Sequence, residues 1–150
     1  MRAQLEVDDG GRMKLTAFTP LNTPGITIFA DGDAVTYLDH GHETAWRGSA
    51  REFAKSFGFF AAGVTPADMA LLILGEPAHS DAVSYERRDG AVSRATVADV
   101  VVTYDSPAKV TVARGNQRLE IEQLERVATT DALRAPDVPA EYVCCPAPKL

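Results

Sequence analysis

Apolar and polar residues alternate along the first third of the chain, which is the pattern of β-strands that bury one face. Turn-forming residues rich in Gly, Asp and Pro interrupt this alternation at short intervals. The predicted strands are 2–7, 13–18, 26–30, 35–37 and 43–46. The pattern therefore predicts an antiparallel meander of about five strands.

The apolar period then changes from that of strands to that of a helix. Ser49 and, three residues later, Glu52 form the sequence of a capping box. The apolar positions that follow share one helical face as far as Phe57, and Gly58 ends the pattern. A short amphipathic helix is therefore predicted from Ala50 to Phe57.

A second helix is predicted a few residues later. Thr65 and Asp68 repeat the capping signal, with Pro66 at the first helical position. The segment up to Leu74 is apolar on nearly every side and ends at Gly75. A helix without a polar face is expected either to pack inside the core or to cover an apolar ligand site, and core packing is the simpler interpretation.

Strand patterns resume after Pro77 and are predicted at 83–87, 92–104, 109–113 and 118–127. From Ala128 onward, prolines recur without periodicity, which is typical of an extended tail. The whole pattern predicts an α+β fold that is mostly antiparallel β. We expect one strongly curved sheet with both helices on its concave side, an arrangement that encloses a cavity.

Composition narrows the class of protein. A chain of 150 residues and 16.1 kDa with 45% hydrophobic residues is typical of one globular domain. Its formal charge of −6 is the wrong sign for a protein that neutralises phosphates, so no nucleic-acid partner is expected. The sequence contains no apolar run as long as a membrane span, and its start does not resemble an export signal.

Few residues are suited to catalysis or metal binding. Only three histidines are present, and none lies in a recognisable nucleophile motif, so we expect no enzymatic activity and no cofactor. His40 and His42, flanked by Asp39 and Glu43, are the best candidates for a metal site. Their place at a hairpin tip favours solvated turn residues instead, so no metal is expected.

The two cysteines, Cys144 and Cys145, are adjacent and close to the end of the chain. Two neighbours cannot staple a fold or supply the four ligands of a zinc site. Exposed thiols are therefore favoured over a vicinal or intermolecular disulfide.

Leu21 is an apolar residue in a loop, 20–25, that otherwise contains turn formers. Such a side chain either packs against the edge of the sheet or is presented to a membrane or an acylated partner. The residues alone favour packing.

An ordered series of motifs resembles the LolA/LolB family of lipoprotein localisation factors, and within it the outer-membrane lipoprotein receptors. The series covers roughly residues 2–127 and is most specific over 12–77. Its members are Arg12-Met13-Lys14-Leu15, Thr19-Pro20-Leu21, the strand at Ile26, the turn Asp31-Gly32, the strand near Trp46, the helix 50–57, the segment Leu71 to Pro77 and the final strand Arg118 to Ile121.

The resemblance implies an incomplete, half-open β-barrel lined by apolar side chains, with the two helices as its lid. Such a protein binds the acyl chains of lipoproteins or lipids and aids their insertion in the outer membrane. The implied partners are acylated lipoproteins, a periplasmic carrier protein and the outer-membrane surface, and the implied location is the periplasm or the periplasmic face of that membrane. Leu21 matches the family's exposed loop leucine, which promotes transfer into the bilayer.

The candidate acyl-binding residues lie on one face of the predicted sheet and on both helices. They are Leu15, Ala17, Ile26, Ile28, Val35, Tyr37, Phe53, Phe57, Met69, Leu72 and Ile73. The alternative is a non-catalytic interaction module in which the same residues fill a closed core.

The chain departs from the family in three places. The family begins with an export signal, a lipidated cysteine, a helix and at least one strand, whereas this chain begins inside that region. Asn22 stands where the family places glycine after the loop leucine. The tail from Ala128 has no counterpart in the family, and we divide the chain into a domain of residues 1–128 and a Pro-rich tail, 129–150. We expect Val138, Tyr142 and Val143 of this tail to fill the cavity edge that the absent family helix would leave open.

Overall fold

The computed structural model describes residues 1–57, 60–61, 63–123, 125 and 131–144. The elements of this part of the chain, in order, are β1 (Arg2–Val7), β2 (Arg12–Phe18), β3 (Pro24–Asp31), β4 (Ala34–Asp39), β5 (Thr44–Ser49), α1 (Ala50–Ser56), α2 (Pro66–Ile73), β6 (Ser84–Arg88), β7 (Ala91–Val97), β8 (Val100–Ser106), β9 (Lys109–Arg114), β10 (Gln117–Glu122) and β11 (Val143–Cys144). The prediction of a mostly antiparallel α+β fold is confirmed.

The strands form two hydrogen-bonded sheets rather than the single sheet that the sequence predicts. Sheet A has the order β1-β2-β3-β4-β5-β11, and sheet B has the order β10-β9-β8-β7-β6. Every pair is antiparallel except β11 with β5. After β5 the chain forms both helices, and the next strand, β6, starts a second sheet instead of pairing with β5. The free edge of β5 pairs with β11. The expectation of one continuous sheet is therefore wrong.

The predicted strand 92–104 is two strands joined by a tight turn. Val97 pairs with Val100, so Ala98 and Asp99 form a two-residue loop. Ala98 has φ of +50°, the left-handed conformation that such turns require and that alanine seldom adopts. The ion pair from Arg114 Nε to Asp99, at 2.7 Å, holds the other turn residue in place. At the last predicted strand, β10 ends at Glu122, and 124 and 126–127 lie outside the described residues.

Both predicted capping boxes are present. Glu52 N donates to Ser49 Oγ at 3.2 Å, and Ser49 N donates back to Glu52 Oε2 at 3.0 Å. At the start of α2, Asp68 makes the same reciprocal pair with Thr65. The buried Asp68 carboxylate also accepts from His79 N at 2.9 Å, which ties the helix to the segment that follows it. α1 ends one residue before the predicted position, and Gly58 lies outside the described residues.

Helix α2 lies between the two sheets, and this position explains why it has no polar face. Ala67 and Ala70 belong to the core cluster of sheet A, whereas Met69 and Leu72 belong to the core cluster of sheet B. All four side chains are buried. Because helix positions three apart lie on one side, the small residues allow close approach to sheet A and the larger ones fill the space toward sheet B.

An aromatic cluster fills the core between sheet A and α1. Phe53 stacks between Trp46 and Phe57, with ring centroids 5.9 Å and 4.3 Å away. Gly48 makes room for this arrangement, because a Cβ at that position would collide with the Trp46 indole and would approach Glu52 to 2.9 Å. The absence of a side chain at Gly48 therefore lets the indole lie flat on its own strand.

The opposite, outer face of sheet A is also covered. Phe29 and Leu38 point away from α1 and α2, since they alternate with inner-facing neighbours, yet they are 5% and 0% exposed. The described C-terminal segment, residues 131–144, runs across this face between contacts with Asp8 and His40, and we call it the C-terminal strap. The tail that the sequence predicts to be extended is therefore packed against the sheet.

Two sets of hydrogen bonds anchor the C-terminal strap at opposite corners of sheet A. At one corner, Leu133 N donates to Asp8 Oδ2 at 3.0 Å, and Arg12 Nη1 donates to the Leu133 carbonyl at 3.2 Å. At the other corner, Tyr142 Oη lies 2.7 Å from His40 Nδ1. Between these corners the strap has to cross β2, β3 and β4, which accounts for the burial of the outer face. Val143 then pairs with Thr44 at the edge of β5.

Candidate functional site

The predicted acyl-binding residues of sheet A share one face of the sheet. The register pairs Leu15 with Ile28 and Ile28 with Tyr37, so these three side chains point the same way. Ala17 and Val35 lie on this face too, because Ala17 pairs with Ile26 and Val35 pairs with Ala30. This is the face that packs against the helices.

These residues are packed into the core rather than lining an open space. The buried members of the set are Ile28, Val35, Tyr37 and Phe53 beside sheet A, and Met69 and Leu72 beside sheet B. Leu15, Ile26 and Phe57 are half-buried against the first cluster, Ile73 is half-buried against the second, and Ala17 is half-buried in β2. The helices thus pack directly against the inner faces of the sheets in this structure.

An open groove of about 590 Å³ lies beside the C-terminal end of α2, on the inner face of sheet B. Leu74 and Pro77 form one wall, and Tyr85, Val92 and Tyr104 form the other. Gln123, Arg87 and Glu76 add polar groups at its margin. The groove lining includes none of the residues predicted from the sequence.

A β-bulge orients Val92 toward this groove. The register of β6 against β7 shifts from Glu86 opposite Arg94 to Arg87 opposite Val92, which leaves Ser93 as the extra residue. Because side chains alternate along a strand, one extra residue moves the following side chain to the other face. Val92 therefore lies with Tyr104 in the groove instead of on the solvent face of sheet B.

The C-terminal end of α2 forms the floor of the groove and has its carbonyl groups satisfied. Gly75 has φ of +78° and donates to the Leu72 carbonyl at 3.0 Å, and Glu76 N donates to the Leu71 carbonyl at 2.8 Å. This pair of bonds is the Schellman motif, which needs a left-handed residue and so favours glycine. The chain is thereby turned sharply along the margin of the groove.

Tyr104 of sheet B and Gln123, which directly follows β10, also hold this helix end. Tyr104 Oη donates to the Leu72 carbonyl at 2.7 Å, and Gln123 Nε2 donates to the Ile73 carbonyl at 2.8 Å. Burial, and after it the nearby Tyr85 hydroxyl, raise the pKa of Tyr104 to about 12, so Tyr104 keeps its proton at neutral pH. Polar contacts thus fix the helix to the sheet at the groove, while the lining between them is mainly apolar.

Leu21 lies at the tip of the β2–β3 loop with 85% of its surface exposed. Asn22 N donates to the Thr19 carbonyl at 2.9 Å, and Thr19 N donates to the Thr23 carbonyl at 2.8 Å. Asn22 has φ of +61°, so asparagine takes the left-handed conformation that a glycine would otherwise supply. The interpretation that Leu21 packs against the sheet edge is wrong, because this closed turn projects it into solvent.

The two histidines of the predicted turn have separate partners. His40 bonds Thr27 Oγ1 through Nε2 at 2.9 Å and Tyr142 Oη through Nδ1 at 2.7 Å, so it is half-buried and not the solvated residue predicted. His42 is exposed and bonds Asp39 Oδ2 at 2.8 Å. Burial raises the pKa of the Asp39 carboxyl group, but the hydrogen bonds from His42 lower it by more. The pKa of Asp39 is therefore below its ordinary value. No group of three metal-ligating side chains occurs among the described residues.

Cys144 is exposed in β11, and Cys145 lies outside the described residues. The prediction of exposed tail thiols therefore holds for Cys144. Cys144 lies in β11, which is an edge strand of sheet A.

Sequence reasoning missed the groove for reasons that differ between its residues. Tyr104 has the same parity as the buried Val100 and Val102, so alternation could have assigned it to the inner face. Val92 could not have been assigned in this way, because its orientation depends on the bulge at Ser93. Gln123 lies beyond the end of β10, where no periodicity applies.

Comparison of the chain with protein-family models and with curated proteins finds no match. Within the described residues, neither helix has the length and apolar character that crossing a membrane requires.

Proposed function

We propose that the protein binds the acyl chains of lipoproteins or lipids non-covalently and aids their transfer to the outer membrane. The observation that carries this proposal is the groove beside α2. Its lining is continuous with the core of sheet B, because Tyr104 both lines the groove and packs against the buried cluster. An apolar chain in the groove would therefore extend an existing apolar surface.

The size and chemistry of the groove suit such a ligand. Its volume of about 590 Å³ is within the range of small-molecule sites, roughly 300–1,000 Å³. Each methylene that leaves water for an apolar wall contributes about 0.8 kcal/mol. Binding of this kind needs no nucleophile, metal or cofactor, which agrees with the absence of a recognisable catalytic motif in the sequence.

The two sheets would act together as a half-open barrel with α1 and α2 as its lid. The inner faces of both sheets are apolar and lie on either side of α2. Movement of α2 away from Tyr104 and Gln123 would join the groove to Met69, Leu72 and Ile73. These helix members of the set inferred from the sequence would thus form the deeper part of the cavity, and the predicted residues of sheet A would support the lid from behind.

Leu21 would promote the transfer step. Its turn holds a large apolar side chain in water, where exposure costs about 1.5–3 kcal/mol relative to an apolar environment. Contact with a bilayer would remove that cost. The resemblance to lipoprotein localisation factors supports a location at the periplasmic face of the outer membrane, with acylated lipoproteins and a periplasmic carrier protein as partners.

Displacement of an environment-sensitive apolar dye by a triacylated lipopeptide tests the proposal. We expect the wild type to bind the dye and release it on addition of the lipopeptide. Val92→Glu should weaken dye binding at least tenfold, because it places a carboxylate against the apolar wall. Val101→Glu is the matched control, since Val101 is a half-buried valine on the outer face of the neighbouring strand.

A closed-core interaction module is the second candidate, and the packing of the predicted cavity residues favours it. Ile28, Val35, Phe53 and Leu72 have 2% or less of their surface exposed in this structure. A protein of this kind would bind no dye, and Val92→Glu would then behave like Val101→Glu. Equal dye binding by both variants at the wild-type level would likewise exclude the groove as the site.

A further inference from the structure

Arg87 is the one cation in the described lining of the groove, and it lies on the inner face of sheet B. Its position follows from the strand register. Arg87 pairs with Val92, which the bulge turns inward, so both side chains lie on the groove side of the sheet. Charged residues seldom point to the apolar face of a sheet, so this arginine calls for an explanation.

Three residues on neighbouring strands connect the floor of the groove with its open edge. Tyr104 of β8 bonds the end of α2, Val92 of β7 comes next, and Arg87 belongs to β6, the edge strand. Since neighbouring strands are about 4.8 Å apart, the two spacings from β8 to β6 span roughly 10 Å. A mainly apolar path therefore leads from α2 to a single guanidinium group at the edge of the sheet.

The Arg87 guanidinium group has no ionised partner among the described residues. Arg87 Nη1 donates to the Gly90 carbonyl at 3.5 Å, a long contact that uses one N–H of the group. Glu86, its neighbour in sequence, pairs with Arg94 instead, at 3.9 Å. The other N–H groups of Arg87 are therefore available to a ligand.

The opposite wall of the groove has the other sign of charge. The C-terminal end of α2, where the helix dipole is negative, faces the groove, and Glu76 follows it. Residues 84–94 around Arg87 contain three arginines and two carboxylates, although the whole chain has a formal charge of −6. An anionic group is thus repelled from the α2 wall and attracted to the edge of sheet B.

The Tyr85 hydroxyl adds a second donor on the same strand face. It accepts a hydrogen bond from Ala78 N at 3.0 Å, so its own proton remains for another acceptor. Tyr85 and Arg87 are two positions apart, or about 6.6 Å along β6. A headgroup with several acceptor oxygens, such as a carboxylate or a phosphate, can therefore receive hydrogen bonds from both side chains.

We infer that the groove binds acyl lipids with an anionic headgroup and that Arg87 is the residue that holds this headgroup. The inference rests on the proposed function, because it takes the groove to be the acyl-binding site, and it deepens that function by naming the class of lipid. The carboxylate or phosphate lies at the open edge beside Arg87 and Tyr85. The chain lies along Val92 toward Tyr104 and α2. Fatty acids and lysophosphatidic acids share this chemistry.

Displacement of the apolar dye by three lipids with chains of equal length tests the inference at pH 8. The lipids are myristate, myristoyl lysophosphatidic acid and myristyl alcohol, each kept below the concentration at which it aggregates. Wild type should bind the anionic lipids about fivefold more tightly than the alcohol, which is the scale of an ion pair at a solvent-open site. High salt should narrow this difference. A preference for only one of the two anionic lipids would support the inference and identify the headgroup as a phosphate or a carboxylate.

Variants of two adjacent arginines locate the headgroup. Arg87→Gln should reduce the affinity for anionic lipids to that for the alcohol and leave the affinity for the alcohol unchanged. Arg87→Lys keeps the charge and should retain the preference. Arg88→Gln is the matched control, because Arg88 follows in β6, lies outside the groove lining and pairs with no described carboxylate either. It should bind all three lipids like the wild type.

Two results would overturn the headgroup assignment and leave the proposed function intact. One is equal binding of the three lipids by a wild type that still releases the dye to the triacylated lipopeptide. The other is an equal loss of preference in Arg87→Gln and Arg88→Gln, which would assign the preference to the overall charge of the hairpin.

The competing explanation is that Arg87 guards the edge of sheet B against pairing with a second copy, as inward-pointing charges do. Arg87→Gln would then sediment as a larger species and keep the wild-type preference among the lipids, which would overturn its role in headgroup binding. Failure of all three lipids and of the lipopeptide to displace the dye would overturn the proposed function, and the inference with it.

Discussion

The two sheets are built from similar alternating sequences but differ in how their faces are covered. Sheet A has α1, α2 and an aromatic cluster on its inner face, and its outer face is covered by the C-terminal strap. Sheet B has α2 on its inner face, and beyond the end of that helix the inner face opens into a groove. Phe29 and Leu38 on the outer face of sheet A are buried, whereas the outer face of sheet B carries charged residues such as Arg94 and Glu86.

This difference assigns separate tasks to the two sheets. A sheet covered on both faces is held rigidly, since its side chains are close-packed. A sheet with an open inner face offers apolar surface to a ligand without unfolding of the core. We therefore regard sheet A as the frame, which also presents Leu21, and sheet B as the surface that receives the ligand.

Truncation of the aromatic cluster should have the largest effect on stability. Phe53→Ala should lower the free energy of unfolding by about 3–5 kcal/mol, because it leaves a cavity between Trp46 and Phe57. Urea unfolding followed by circular dichroism measures this change. Val92→Ala in the groove is the comparison and should cost much less. A loss below about 1 kcal/mol for Phe53→Ala would contradict the view of sheet A as a packed frame.

A smaller effect is expected from overpacking the same cluster. Gly48→Ala should cost about 1–3 kcal/mol, because the new Cβ would displace the Trp46 indole. Gly41→Ala offers a matched control, since its Cβ would meet only the Asp39 carboxylate at 3.4 Å. Thermal unfolding of both variants makes the comparison. Equal melting temperatures would show that Trp46 moves without cost.

Removal of the Tyr104 hydroxyl should have a modest effect at neutral pH and a distinctive one at alkaline pH. Tyr104→Phe should cost about 1 kcal/mol through loss of the hydrogen bond to Leu72. The folded-state pKa of about 12 lies above the ordinary value of 10.0, so stabilisation by the protonated hydroxyl is fully present below pH 10 and is lost as the pH rises toward 12. Urea titrations at pH 9 and pH 11 should show this loss in wild type and a smaller one in Tyr104→Phe. Identical pH dependence of the two proteins would exclude this role for the hydroxyl.

The anchor of the C-terminal strap at Asp8 should produce the smallest change. Burial raises the pKa of Asp8, but the backbone hydrogen bonds from Arg12, Leu133 and Gly10 together have the larger, opposite effect. The pKa of Asp8 is therefore below its ordinary value of 3.8. The stabilisation is therefore present above pH 3.8 and is lost as the pH falls through the folded-state pKa. Asp8→Asn should flatten the decline in melting temperature between pH 5 and pH 2. An unchanged acid profile would mean that this anchor does not contribute.

The sequence predicts those features that depend on neighbouring residues. The capping boxes at Ser49 and Thr65, and most strands of sheet A, follow from patterns a few residues long. The turn at Ala98 and the bulge at Ser93 were missed, because alanine and serine do not mark such positions. Their conformations are imposed by pairing with strands elsewhere in sheet B.

The site was harder to predict than the fold. Alternation placed Leu15, Ile28 and Tyr37 on the same face, but it could not indicate whether that face was open or packed against Phe53. The position of the C-terminal strap depends on contacts such as Tyr142 with His40, which are separated by 102 residues. Long-range partners of this kind leave no periodic trace in the sequence.

The most direct test of the division between frame and ligand surface is methyl NMR of the protein with a fatty acid that carries a nitroxide at the end of its chain. We expect the methyl signals of Val92 and Leu74 in the groove to broaden, while those of Ile26 and Val35 in sheet A remain sharp. Broadening centred on Ile26 and Val35, or no broadening at all, would contradict the account.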